Sequence, residues 1–276
     1  MFKYYNLAIM NITISSCFYV IPSKFGHNTY IEWMNNLISI VNYFYLVIYT
    51  DEQSLQYINA KNNPKIRVII KPMETFYNYR YKEYWIKNHE KNILLNKMSC
   101  WQLNMLWAEK INFVKVTVEN KYFDTEFYGW IDIGYFRNRH NDIHTKNLSN
   151  WGNNISIIEN NLDKICYACI NNDTSYMNSL YHFINDRNSN GLPSQQIPPN
   201  QYSIAGGCFF LHKKHINWWF NKYDKKLIKY FENDYLVKDD QIILVDCIFE
   251  NMDKFALFRE NIDTLDNWFM FQRLLN

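Results

Sequence analysis

Glycine and proline are scarce in this chain, with 7 Gly and 6 Pro among 276 residues. That excludes collagen-like and low-complexity classes. Disorder is excluded too, because 48% of the residues are hydrophobic and 18% aromatic. No apolar run reaches the roughly 18 uninterrupted residues that a membrane-crossing helix needs, so no transmembrane span is expected. The opening Met1-Phe-Lys-Tyr-Tyr-Asn6 lacks the basic, apolar and small-residue order of a signal peptide. The expected location is cytoplasmic, either free or peripheral to a membrane. Net charge is only +2 and no basic stripe stands out, so no nucleic-acid partner is expected. The six cysteines, at 17, 100, 166, 169, 208 and 247, are scattered, mostly in apolar contexts. They read as buried thiols, not as a disulfide framework. Cys166-Tyr-Ala-Cys169 is a lone C-x-x-C without a second pair or a neighbouring ligand His, so zinc is not expected. Gly-x-Gly-x-x-Gly and the P-loop pattern are both missing, so neither a dinucleotide fingerprint nor a P-loop is supported.

What is present alternates. Ile12 to Ile21 is rich in β-branched and aromatic residues and predicts a strand ended by Pro22. Thr29 to Val41 has helical spacing, Tyr43 to Tyr49 is a buried strand, Ser54 to Ala60 suggests a helix, and Ile66 to Ile70 a third strand. Asp51 either caps that second helix or faces a ligand. This order begins a parallel sheet with right-handed crossovers. Residues 74 to 112 read as mostly helical, with one helix near Ser99 to Ile111. Strands are expected at 155 to 158 and 165 to 170. Residues 185 to 201 read as a long loop of the kind that forms lids or substrate-binding segments. Ser203 to His212 is a strand led by two glycines, followed by helices at about 215 to 230 and 242 to 249 and a helical tail from Asn261. The expected fold is one α/β domain over 1–276, with a mixed, mainly parallel sheet flanked by helices.

Function hangs on Phe127-Tyr-Gly-Trp-Ile-Asp-Ile-Gly-Tyr-Phe-Arg137. A short apolar run ends in a single carboxylate, Asp132. Open α/β sheets place ligand chemistry at the carboxyl ends of their strands. Asp132-x-Gly134 suggests a tight turn that presents an exposed acid; an ordinary solvated strand end fits the same residues. Two further features join it. Gly206-Gly207 lead a strand, which suggests close backbone approach to a ligand. Asp239-Asp240-Gln241 open a helix, where acids also serve as simple caps. His212 and His215 read as polar surface residues.

With these residues in this order, the chain resembles a GT-A type, Rossmann-like glycosyltransferase and is similar to the HtrL/YibB group. The shared stretches are Trp130-Ile-Asp-Ile-Gly-Tyr135, Asn96-Lys-Met-Ser-Cys-Trp101, Ala205-Gly-Gly-Cys-Phe209 and Asp239-Asp-Gln241. Ile14-Ser-Ser-Cys-Phe-Tyr19 and Tyr49-Thr-Asp51 also fit, and the similarity spans about residues 12 to 260. The resemblance implies transfer of a sugar from a nucleotide-diphosphate donor, UDP-sugar favoured, to a hydroxyl of a glycan, glycoprotein or lipid. It implies a nucleotide-binding half over 1–137 and an acceptor-binding half over 138–276. Ser16, Cys17, Phe18 and Asp51 would contact the nucleotide, and Gly134, Gly206 and Gly207 would let the donor approach. Arg80, Lys97 and Arg137 are candidate clamps on the diphosphate. The implied cofactor is Mn²⁺ or Mg²⁺ on Asp132. An Asp-x-Asp motif is expected there, but Gly134 stands at the second acid. Either Asp132 is the sole protein ligand, helped by waters and phosphates, or cations alone serve. Asp240 or Asp239 would be the general base of an inverting reaction, or would hold sugar hydroxyls in a retaining one. An inactive carbohydrate-binding or scaffold protein on the same fold is the alternative. A nucleotide-sugar hydrolase or pyrophosphorylase is disfavoured, because no Gly-rich, Lys/Arg-bearing N-terminal loop and no cluster of metal-binding acids is seen.

Overall fold

The computed structural model describes residues 11–60, 62–262 and 264–276. The reading of residues 1–6 lies outside them. Seven strands form one sheet: β1 (Ile12–Cys17), β2 (Tyr45–Thr50), β3 (Ile66–Ile70), β4 (Phe127–Ile131), β5 (Ile165–Cys169), β6 (Ile204–His212) and β7 (Phe255–Phe258). Their order is β3-β2-β1-β4-β6-β5-β7. β1 pairs in parallel with β2 and β4, β2 with β3, and β5 with β7. Only β6 runs against its neighbours, β4 and β5. The protein is therefore α/β with a mixed, mostly parallel sheet, and that sheet runs unbroken from the first half of the chain into the second.

Helices cover both faces, as parallel strands require. They are α1 (His27–Ser39), α2 (Glu52–Leu55), α3 (Lys82–Lys91), α4 (Trp101–Ala108), α5 (Lys110–Asn120), α6 (Ser156–Glu159), α7 (Thr174–Asn185), α8 (Ile216–Glu232), α9 (Asp240–Glu250) and α10 (Phe271–Leu274). One core holds residues of α4, α5, α7, α8 and α9 against Tyr49, Trp130 and Phe209 of the sheet. The other packs Met34, Leu37 and Ile38 of α1 and Phe271 of the tail against Ile14, Ile48 and Phe210. Alternation along β1 separates the two faces. Thr13 and Ser15 point to the α5 side, where their hydroxyls bond Thr125 and Thr117 at 2.8 Å.

Several expected elements differ. β1 stops at Cys17, and the Phe18 carbonyl accepts from Thr50 Oγ1 at 2.8 Å. Phe18 to Ile21 then leave the sheet. The expected strand at 155 to 158 is the single helical turn α6. The Asn154 side chain accepts from Ser156 N, and Ile155 and Ile158, three apart, share the buried side. The expected helix at 54 to 60 is the one turn of α2, and the tail holds only a 3-10 turn at Asn267–Phe269 and α10. α7 and β7 arise in stretches to which the sequence assigned no element. Asp173 starts α7 by accepting from Ser175 N and Tyr176 N.

Candidate functional site

The strand order reverses direction between β1 and β4, the switch point where open α/β sheets bind ligands. A cavity of about 470 Å³ opens there. That volume suits a small organic ligand. Cys17 at the end of β1 and Phe18 and Tyr19 after it form one wall, and Asp132 to Tyr135 beyond β4 form the floor. Gly206 and Gly207 of the antiparallel β6 close the side, with Asp132 N donating to the Gly207 carbonyl at 2.8 Å. Trp107 and Trp268, both half-buried, supply flat apolar surface, with the buried Trp130 and Phe269 behind.

Charge in the cavity centres on Lys110, the first residue of α5. Its ammonium lies 3.0 Å from Asp132 Oδ1 and 2.9 Å from Asp240 Oδ2, and donates to the Gly206 carbonyl at 3.0 Å. Trp130 Nε1 donates to Asp132 Oδ1 at 2.7 Å, which fixes that carboxylate's rotamer. The Asp132 side chain stays 38% exposed, while that of Asp240 is 10% exposed. Burial pushes the Asp240 carboxyl up to about 6. Asp239 and Asp132 add to the rise, and Lys110 opposes it. Burial pulls the Lys110 ammonium down, but the two carboxylates outweigh that and hold it above its usual value. Asp239 caps α9, accepting from Gln241 N, and pairs with Lys238 at 2.8 Å.

The glycines are fitted to these acids. A Cβ on Gly206 would come 2.8 Å from Asp240 Oδ2, and one on Gly207 3.3 Å from Asp132 Oδ2. Gly134 is not in a left-handed turn; among the described residues only Gly152 and Gly191 are glycines with positive φ. Its Cβ would stand 2.6 Å from the Trp33 ring, so packing is what demands glycine there.

Arg137, Lys24 and Arg139 also line the cavity. Arg137 donates from Nε to the Gly134 carbonyl at 2.7 Å and lies 4.4 Å from the Trp33 ring centre and 5.0 Å from that of Phe269. Lys24 sits 4.9 Å over Trp107. Arg139 is paired with Asp142 and with Asp266 at 3.1 Å. Arg137 and Lys24 form no ion pair among the described residues.

Of the residues expected at the site, the cavity gathers Cys17, Phe18, Asp132, Gly134, Gly206, Gly207, Asp239 and Asp240. Four stand elsewhere. Ser16 is fully buried and, one residue before Cys17, points to the other face of the sheet. Asp51 takes its helix-capping role, accepting from Ser54 N at 2.7 Å. Arg80 is held outside by Asp224 at 2.8 Å and by stacking on Tyr77 at 3.7 Å. Lys97 is exposed on the turn before α4. The loop at 185 to 201 is not a lid: none of its residues lines the cavity, and Leu192 and Ile197 are buried in the core. Burial first and then Asp132 push the Cys17 thiol up. Cys166 and Cys169 are free and point to opposite faces of β5, so they cannot share a metal.

With Lys110 in place, the donor set around Asp132 does not fit a divalent ion. The oxygens such an ion would take from Asp132 and Asp240 already face one ammonium. Trp33 blocks a second acid at 134. No group of three or more His, Cys, Asp or Glu among the described residues is placed to hold a metal.

Lys110 was the residue the sequence hid. The signal was its position: with Leu103, Leu106 and Trp107 it continues the inward stripe of the helix pair, where a lysine needs buried partners. Compared with known proteins, the chain matches no family model and no curated protein.

Proposed function

We propose that the chain is a GT-A type glycosyltransferase that moves a sugar from a nucleotide-diphosphate donor to a hydroxyl acceptor. The observation that carries this reading is the pair of acids, Asp132 and Asp240, meeting in an aromatic-walled cavity at the sheet's switch point. The resemblance of Trp130 to Tyr135 and of Asp239 to Gln241 to the HtrL/YibB group supports it. In this reading the first half of the chain binds the donor and the second half the acceptor.

Each wall has chemistry suited to one step. Arg137 and Lys24, without an ion pair among the described residues, offer positive charge to a diphosphate. The tryptophans offer faces for a base or a sugar ring. Asp240 is the general base. With its carboxyl at about 6 it is ionised at neutral pH yet basic enough to take a proton. The acceptor oxygen bonds to the anomeric carbon as the bond from that carbon to the diphosphate oxygen breaks. The acceptor proton passes to Asp240, and the diphosphate leaves with its electron pair onto the cationic wall.

A melting-temperature screen with UDP, GDP and their sugars tests the reading, because a ligand of the native state raises the midpoint. At least one nucleotide should raise it in the wild type and fail to do so in Arg137→Ala. No shift with any of them sinks the proposal. The engagement of both carboxylates by Lys110 favours one second reading, a carbohydrate-binding protein without turnover. Donor binding without any product across acceptors would select that reading.

A further inference from the structure

Three oxygens converge on the Lys110 ammonium: Asp132 Oδ1 at 3.0 Å, Asp240 Oδ2 at 2.9 Å and the Gly206 carbonyl at 3.0 Å. An ammonium has three N–H donors and no acceptor, so this cradle saturates it. Two carboxylates and a carbonyl are also the hard oxygen donors a divalent ion takes. The lysine is only 6% exposed, so salt screens its pair with the buried Asp240 little, while the Asp132 side of the cradle faces the cavity. Gly206 and Gly207 bring both acids to the cradle, and Trp33 keeps the next acid position empty.

We propose that Lys110 is the resident cation of this site, seated where a divalent ion would sit, so that the protein handles its diphosphate ligand without a metal. The inference rests on the nucleotide reading above for the ligand, but not for the cation. A single ammonium offsets less charge than a divalent ion. With Asp132 and Asp240 it leaves the cradle one charge negative, so the cradle does not take the phosphates. They fall to Arg137 and Lys24, which also line the cavity and form no ion pair among the described residues. Lys110 is a positioning residue. It holds the Asp240 carboxylate toward the cavity and limits how far burial raises its proton affinity.

The test uses the wild-type chain and two variants. Mn²⁺ is titrated alone and followed by electron paramagnetic resonance, and UDP is titrated calorimetrically in EDTA and in Mn²⁺. The wild type should show no stoichiometric Mn²⁺ site at submillimolar concentration. Its UDP affinity should change by less than about twofold between the two conditions. Lys110→Met should gain one Mn²⁺ site, and Lys110→Met with Asp132→Asn should lose it again. A wild-type Mn²⁺ site abolished by Asp132→Asn overturns the proposal. So does a rise of about tenfold or more in UDP affinity with Mn²⁺. If Lys110→Met does not fold, the wild-type titrations decide alone. UDP binding in neither condition contradicts the nucleotide reading, and the wild-type Mn²⁺ titration then still decides for or against the resident cation.

Discussion

At the residue scale, Gly134 and Trp33 are one decision. The ring lies where any side chain at 134 would begin. Gly134→Ala should lower stability by about 1–3 kcal/mol through overpacking. The same change should cost less beside Trp33→Leu, which a double-mutant cycle in urea would show. A full penalty in both backgrounds would remove Trp33 as the cause. Asp240 makes a second prediction. A base with its carboxyl at about 6 is protonated below that pH. In an inverting enzyme kcat/KM should therefore fall about tenfold per pH unit below about 6. Asp240→Asn should reduce kcat by roughly 10²-fold or more while donor affinity changes little. Equal losses in both would make Asp240 a binding residue. Asp132, Gly206, Gly207 and Asp240 stood out in the sequence by their order and resemblance, since an acid at an element end is as often a cap, as Asp51 and Asp239 are. Arg80 and Lys97 misled because a cation beside aromatics looks the same whether it faces a ligand or, as Arg80 does, stacks on Tyr77 beside Asp224.

At the element scale, periodicity located β2, β3, β5, β6, α1, α8 and α9, whose apolar patterns are continuous. It failed where side chains on distant segments decide the local structure. The loop after α7 is the clearest case. Nothing local reveals that Arg187 reaches Asp246 at 2.6 Å, or that Lys226 and Tyr230 bond the same fully buried carboxylate at 3.1 and 2.7 Å. That hub pins the loop to α8 and α9 and away from the cavity. Asp246→Ala removes the carboxylate of Arg187 and leaves Lys226 with Glu250 alone at 3.2 Å, and it should destabilise the fold by about 3–5 kcal/mol. UDP affinity at a temperature where the variant is folded should be unchanged. A loss of affinity there would return the loop to the site. Glu109 plays a similar part ahead of α5, accepting from Tyr77 N, Asn78 N and Asn112 Nδ2 at 2.9, 3.0 and 2.6 Å. It thereby sets where Lys110 begins its helix.

At the scale of the whole molecule, the cavity follows from topology. The βαβ start was readable, and with it the expectation of a site beyond β1 and β4. The reversal at β6 was not, because strand direction is set by pairing and no residue encodes it alone. Yet that reversal is what brings Gly206-Gly207 beside Asp132, and α9 brings Asp240 beside both. Among the described residues no helix is long and apolar enough to cross a membrane.

The central claim is that this cavity binds a nucleoside diphosphate. Trp107, Trp130 and Trp268 line it, so their fluorescence should report occupancy. Titrating UDP and GDP into the wild type should give a saturable change with at least one of them. Arg137→Ala, folded by circular dichroism, should lose it. A flat wild-type titration to millimolar nucleotide, or an unchanged one in Arg137→Ala, would contradict the account.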